Sequence, residues 1–193
     1  MVAPAKQEMT VEEFDALLAL PENADRLLEL VNGEIVEKMP TQEHGYILLR
    51  LGSRLIYFLD AHQLGVVYID STHHVPGDPR NKRRPDIAYM SFARSQTLVK
   101  KGAIPQIPDL AVEIQSPDDS VDMMREKAAY YLGNGSRMVW LIYPEKRIVE
   151  VYQAGKTIEL LVPGDTLNGG DVLPGFTLAV SDIFAQVTPP AAE

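Results

Sequence analysis

The amino-acid sequence predicts one α/β domain in which a mixed central β-sheet is flanked by helices. Three apolar runs are typical of buried strands, and they cover residues 85–91, 108–116 and 137–143. Two longer segments, residues 42–62 and 119–133, have the pattern of helices. Strands that alternate with helices of this length are typical of an α/β fold.

The N-terminal third of the chain predicts a helix, a hairpin and a long helix. Thr10 is a typical N-cap residue, and the acidic residues that follow it favour a first helix over residues 11–19. Asn32-Gly33 lies between two strand-like runs, which is a strong signal for a β-hairpin. The segment 42–62 then places apolar residues on one helical stripe and predicts the long helix.

The rest of the chain predicts strands joined by turns and by one further long helix. "GVVYID" and "THHVPG" are predicted strands before the apolar run at 85–91, and residues 92–107 are predicted to form a loop. The helix at 119–133 ends at a glycine, and Ala154-Gly155 marks the turn of a C-terminal hairpin. "LPGFTLAV" and "SDIF" predict a last extended piece and a short helix.

Composition limits the class of protein. The chain has 193 residues, no cysteine and a formal net charge of −9. It suits a single domain over residues 10–185, with flexible ends at 1–9 and 186–193. No run is long and apolar enough to cross a membrane, so we expect a cytoplasmic protein. The negative charge argues against sequence-blind binding to nucleic acid unless a local basic patch overrides it.

Residues 108–117 read "PDLAVEIQSP", an apolar strand that carries the carboxylate of Glu113 in its middle. A carboxylate is rarely buried unless it is paired or binds a cation. Asp86 opens the preceding apolar strand. If the two strands are neighbours, Asp86 and Glu113 meet at one point, and such a pair of oxygen ligands favours Mg²⁺ or Mn²⁺. The alternative is that each acid is a solvated residue at the rim of the sheet.

Several stretches together resemble the Uma-type family of restriction endonucleases, within the PD-(D/E)XK nuclease superfamily. The resemblance covers about residues 10–185 and includes His44 at the head of the long helix. The matching stretches are "RLLELVNGEIVE", "RRPDIAYM", "PDLAVEIQSPDDS", "REKAAYYLGNG", "MVWLIYPEKRIVEVY" and "VLPGFTLAVSDIF". The resemblance implies a restriction-endonuclease-like fold with extra C-terminal β-hairpins. It also implies a Mg²⁺-dependent endonuclease that hydrolyses DNA, and a homodimer would suit the cleavage of both strands.

The resemblance also implies roles for individual residues. Asp86 and Glu113 would bind the metal, and His44 would contact the substrate. The superfamily pattern expects a lysine two residues after the second acid, where this chain has Gln115. Lys127 on the following helix would supply that catalytic lysine, although an exposed helical ion pair is the alternative for this side chain. Glu29 would be a further catalytic acid, unless it pairs with an arginine such as Arg26 or Arg50.

The segment "RNKRRPD" places a run of cations immediately before the first acid. Lys82, Arg83 and Arg84 could contact substrate phosphates beside the site, or they could be part of a solvated loop.

A function of a different class also stays open at this point. The chain could be a non-catalytic nuclease-fold module that binds nucleic acid or protein, because a fold alone does not determine function.

Overall fold

The computed structural model of the protein describes residues 8–95 and 98–185. The helices are α1 (Val11–Leu18), α2 (Gln42–His62), α3 (Val121–Gly133) and α4 (Val180–Ile183). The strands of the N-terminal half are β1 (Leu28–Val31), β2 (Glu34–Glu37), β3 (Gly65–Ile69) and β4 (Ile87–Ser91). The later strands are β5 (Leu110–Ile114), β6 (Met138–Tyr143), β7 (Ile148–Gln153), β8 (Glu159–Leu161), β9 (Thr166–Asn168) and β10 (Thr177–Ala179).

Six strands of the described residues form the central sheet in the order β3-β4-β5-β6-β7-β8. β5 and β6 are parallel, and every other neighbouring pair is antiparallel. All residues of β5 and β6 are buried, which explains why their sequences are nearly continuous apolar runs. The predicted mixed sheet flanked by helices is confirmed, and β7–β8 and β9–β10 supply the additional C-terminal strand pairs.

The two faces of the sheet are covered by different helices. Because side chains alternate along a strand, Val112 and Ile114 of β5 join the core beneath α2, together with Leu51. Ala111 lies on the opposite face, in a second core that contains Tyr131 of α3. Glu113 shares this second face with Ala111, so the acid in the apolar strand points towards α3.

The β1–β2 hairpin lies outside the central sheet. Asn32 and Gly33 both adopt positive φ, at 51° and 82°, as a tight two-residue hairpin turn requires. The hairpin is attached to the segment before β4, because the backbones of Leu30 and Lys82 exchange hydrogen bonds. α1 packs on β1, and the predicted N-cap Thr10 closes a capping box with Glu13.

The segment "THHVPG" is not a strand, contrary to the prediction. His73 bridges Arg83 on one side and Ile104 on the other as isolated pairs. No ladder extends from these bridges, because Pro76 and Gly77 follow in a turn and a proline cannot donate a ladder hydrogen bond.

The ends of the chain are described in part. Residues 1–7 and 186–193, where flexible ends are predicted, lie outside the described residues. The Met9 N–H donates a hydrogen bond to the Gly33 carbonyl at 2.8 Å. Among the described residues, no helix has both the length and the apolar character that crossing a bilayer requires.

Candidate active site

Asp86 and Glu113 meet because their strands are antiparallel neighbours. Ile87 of β4 pairs with Val112 of β5, so one further step along the register places Asp86 opposite Glu113. The two residues are buried, with 1% and 0% relative exposure. Neither acid is therefore a solvated rim residue, and the convergence expected for neighbouring strands is present.

A lysine that the sequence did not single out lies between the two acids. The Lys38 Nζ atom is 2.8 Å from Asp86 Oδ1 and 3.3 Å from Glu113 Oε2, and it donates to the Arg84 carbonyl at 2.7 Å. Lys38 follows directly after β2, and 13% of its side chain is exposed. The hairpin thus delivers a positive charge to the point where the carboxylates converge.

Two residues of α3 contact the other side of Glu113. Lys127 Nζ lies 3.1 Å from Glu113 Oε2, and the Tyr131 hydroxyl donates to Glu113 Oε1 at 2.7 Å. The two residues are four apart, so they share one face of the helix. Since 12% of the Lys127 side chain is exposed and it reaches a buried acid, it is not an exposed helical ion pair.

His44 and a backbone amide hold the second oxygen of Asp86. His44 Nε2 is 3.1 Å from Asp86 Oδ2, and the Ile114 N–H donates to the same oxygen at 2.6 Å. His44 lies in the first turn of α2, which Thr41 caps by accepting the His44 N–H. His44 is therefore in direct contact with an acid of the site.

Glu29 is buried on β1 beside this cluster. Its Oε1 accepts the Arg84 N–H, and its Oε2 is buried without a hydrogen-bond partner among the described residues. The two arginines considered as its partners bond elsewhere: Arg26 pairs with Glu37, and Arg50 bonds the Asp182 carbonyl and the Tyr46 hydroxyl. Burial raises the pKa of Glu29 and Glu113 adds to the increase, whereas Lys38 opposes it.

Two pockets flank the cluster. One, of about 200 Å³, is lined by residues that include Lys38, His44, Asp86 and Lys127. The other, of about 370 Å³, is lined by residues that include Glu29 and Tyr130, and Lys127 lines it as well. Asp86 and both lysines therefore line a cleft into which a substrate could reach, and Glu113 lies buried behind them.

Comparison with known proteins identifies the family. The model of the Uma2 family, described as "Putative restriction endonuclease", matches residues 11–181. The chain belongs to the Uma2 family. The crystal structure of a "putative nuclease belonging to DUF820" from Anabaena variabilis ATCC 29413 aligns with 91% of this chain and 97% of its own, at 25% identity and a TM-score of 0.77.

Other comparisons add less. The structure titled "cryoEM structure DrdV-DNA complex" aligns with 75% of this chain and 14% of its own, at 13% identity and a TM-score of 0.36. No curated protein matches the chain.

The charges of this Uma2 protein's site balance one another. Burial alone would raise the pKa of Asp86, but Lys38 and His44 hold it well below its usual range. Burial would lower the pKa of Lys38, but Glu113 and Asp86 raise it well above its ordinary value. Burial would lower the pKa of Lys127, but Glu113, with Glu29 and Asp119, raises it above its ordinary value. Opposite charges therefore offset the cost of burial for Asp86, Lys38 and Lys127.

The three predicted substrate-binding cations before β4 all have partners within the fold. Lys82 forms an ion pair with Asp15, and 7% of its side chain is exposed. The Arg83 guanidinium stacks on a tyrosine ring, 4.4 Å from the centroid of Tyr130. Arg84 Nε donates to the Asp70 carbonyl at 2.6 Å. The segment is thus not a solvated loop, and contact with substrate phosphates stays a prediction.

The residues of the site fit a divalent cation. Within residues 8–95 and 98–185, no three histidine or acidic side chains form a ready metal-binding group. However, Asp86 and Glu113 already direct one oxygen each at a single positive atom, the Lys38 Nζ. Carboxylate oxygens are the ligands that Mg²⁺ and Mn²⁺ prefer, and Mg²⁺ commonly uses one or two carboxylates and completes its shell with water. Two converging carboxylates therefore suffice for such an ion when water supplies the remaining ligands.

Proposed function

We propose that this Uma2 protein is a metal-dependent endonuclease that hydrolyses phosphodiester bonds in DNA. The family description "Putative restriction endonuclease" and the similarity to a structure titled as a "putative nuclease" support a nuclease function. The observation that carries the proposal is the convergence of Asp86 and Glu113 on one cation position, beside a pocket that Asp86 lines.

Each acid uses one oxygen for orientation and presents the other to the cation. Asp86 Oδ2 is held by His44 and the Ile114 N–H, so Oδ1 is the oxygen that faces the cation position, where it contacts Lys38. The Tyr131 hydroxyl donates to Glu113 Oε1, so Oε2 is the oxygen of this acid that faces the cation position. Hydrogen bonds behind a ligand fix its direction and increase metal affinity. His44 and Tyr131 thus act as positioning residues for the two metal ligands.

Asp86 and Glu113 would bind Mg²⁺ or Mn²⁺ together with the backbone carbonyl of Ile114 or Gln115. When bound, the ion would supply a Lewis acid that polarises the phosphate and lowers the pKa of water. Lys127 would stabilise the charge that develops on the phosphate, because its ammonium already lies beside Glu113. Glu29, with its unpartnered oxygen, would accept a hydrogen bond from a water at the edge of the site.

DNA is the substrate that the family description favours, and phosphate contacts would come from cations around the cleft. A single site cuts one strand at a time. Cleavage of both strands would suit a symmetric homodimer, and that assembly is part of the proposal.

Cleavage assays on the full chain test this function. Single-stranded, double-stranded and branched DNA are incubated with Mg²⁺ or Mn²⁺, and parallel reactions contain EDTA. We expect metal-dependent cleavage by the parent and its loss in Asp86→Asn. The control Glu150→Gln removes a different buried acid, bonded to Arg125 and Tyr143, and should cleave like the parent. If the parent cleaves none of these substrates, the enzyme proposal fails and a non-catalytic binding module takes its place.

A further inference from the structure

Lys38 is surrounded by oxygen atoms in the manner of a bound cation. An ammonium group has three N–H donors, and all three have acceptors here: Asp86 Oδ1, Glu113 Oε2 and the Arg84 carbonyl. These are two carboxylates and a backbone carbonyl, the same classes of ligand that bind hard divalent ions. The ammonium therefore occupies the position where a metal held by Asp86 and Glu113 would lie.

Two cations cannot share this position. A divalent ion bound to Asp86 Oδ1 and Glu113 Oε2 would lie within a few ångströms of the Lys38 ammonium, and like charges at such distances repel strongly inside a protein. Lys127 differs in this respect, because it contacts Glu113 and not Asp86 among the described contacts. Lys127 lies 3.1 Å from the same Glu113 Oε2 atom, so it also experiences repulsion from the ion. It does not bridge the two acids as Lys38 does, so it does not occupy the position between them and can stay at the edge of the site.

Lys38 has a place to move to. Its side chain lines the pocket of about 200 Å³, next to Met39, Pro40 and Leu48. A lysine has a flexible four-carbon stem, so the ammonium can leave the acids while its backbone stays in place. Within that pocket it would meet a substrate phosphate that approaches the metal.

We propose that Lys38 is an exchangeable counter-ion: it neutralises Asp86 and Glu113 in the metal-free protein, is displaced by the divalent ion, and then binds the substrate phosphate. The inference rests on the proposed function, because it assigns Asp86 and Glu113 to the metal. It adds that metal binding is an ion exchange. It also explains how two neighbouring acids stay buried before the metal binds, because Lys38 bridges them.

Chemical labelling of lysines tests the exchange on the unmodified chain. The protein is treated briefly with acetic anhydride with and without saturating Mg²⁺, and each lysine is quantified by peptide mass spectrometry. Lys38 should be protected without metal and become labelled with metal. Lys146 is exposed and should be labelled in both samples, whereas Lys82 is buried against Asp15 and should be protected in both.

Titration of Mn²⁺ into variants gives a second, independent reading. In Lys38→Met the competing charge is absent, so Mn²⁺ should bind about tenfold tighter or more, given the strength of charge interactions at an effective dielectric constant of about 20. Lys146→Met removes a surface charge away from the site and should bind like the parent. Lys38→Arg keeps a charge and should bind no tighter than the parent.

The outcomes separate the two proposals. If Mn²⁺ binds the parent while Lys38 stays protected and Lys38→Met binds no tighter, the exchange is refuted and the metal site stands. If neither the parent nor Lys38→Met binds Mn²⁺, the metal site itself is refuted, and Lys38 is a permanent counter-ion rather than an exchangeable one.

Discussion

Replacing Glu113 by glutamine should destabilise the metal-free protein, because it leaves two buried ammonium groups with one partner fewer. Lys38 and Lys127 lie 3.3 Å and 3.1 Å from Glu113 Oε2. At these distances each pair contributes about 5 kcal/mol of Coulomb attraction at an effective dielectric constant of about 20. The cost of burying the carboxylate offsets much of this, so we expect a net loss of about 3–5 kcal/mol in the free energy of unfolding.

Urea unfolding of the parent and Glu113→Gln, in EDTA at pH 7, measures this loss. The matched control is Glu150→Gln, because Glu150 is also a buried acid but its partner Arg125 is 52% exposed. Water can solvate the arginine that remains, so the control should lose about 1–2 kcal/mol. If Glu113→Gln is as stable as the parent or more stable, repulsion between the two acids dominates the site and the lysines are not its counter-ions.

Three further predictions follow from the same structure. Lys127→Ala should reduce cleavage by on the order of a hundredfold or more, whereas Gln115→Ala should be mild because its amide donates to the Asp119 carbonyl; the reverse result would assign the missing lysine's role to Gln115. Burial lowers the pKa of His73 to about 4, so the unfolded chain takes up protons first and stability should fall by about 3 kcal/mol from pH 6.5 to pH 4. His73→Gln should flatten that slope in urea unfolding, and an unchanged slope would refute the assignment. If Arg84 contacts a phosphate, Arg84→Gln should weaken DNA binding for all sequences and reduce the slope of log K against log salt concentration by about 1. Equal slopes for the variant and the parent, each measured between two salt concentrations, would exclude the contact.

The sequence predicted the parts of the fold and site that depend on local pattern. The central strands could be located because strands buried on both faces have nearly continuous apolar sequences. The long helices could be located from the helical periodicity of their apolar residues. The adjacency of β4 and β5 then placed Asp86 opposite Glu113. The family resemblance, rather than local pattern, assigned Lys127 to the site, and its ammonium does lie beside Glu113.

Contacts between distant segments could not be predicted in this way. Lys38 follows a short strand whose residues are mostly exposed, so its own pattern indicates a solvated lysine. It reaches the acids because the β1–β2 hairpin is attached to the segment before β4, a pairing with no local signal. The same attachment buries Lys82 and Arg83, which the sequence pattern alone left open as a solvated loop or a phosphate clamp.

The central claim is that Asp86 and Glu113 together bind one divalent cation. Isothermal titration of Mn²⁺ into the parent, Asp86→Asn and Glu113→Gln tests it directly, with circular dichroism confirming that each variant is folded. We predict saturable binding by the parent and no measurable binding by either variant, because each carboxylate supplies one of the two oxygens that converge on the cation position. Unchanged affinity in either folded variant would contradict the claim.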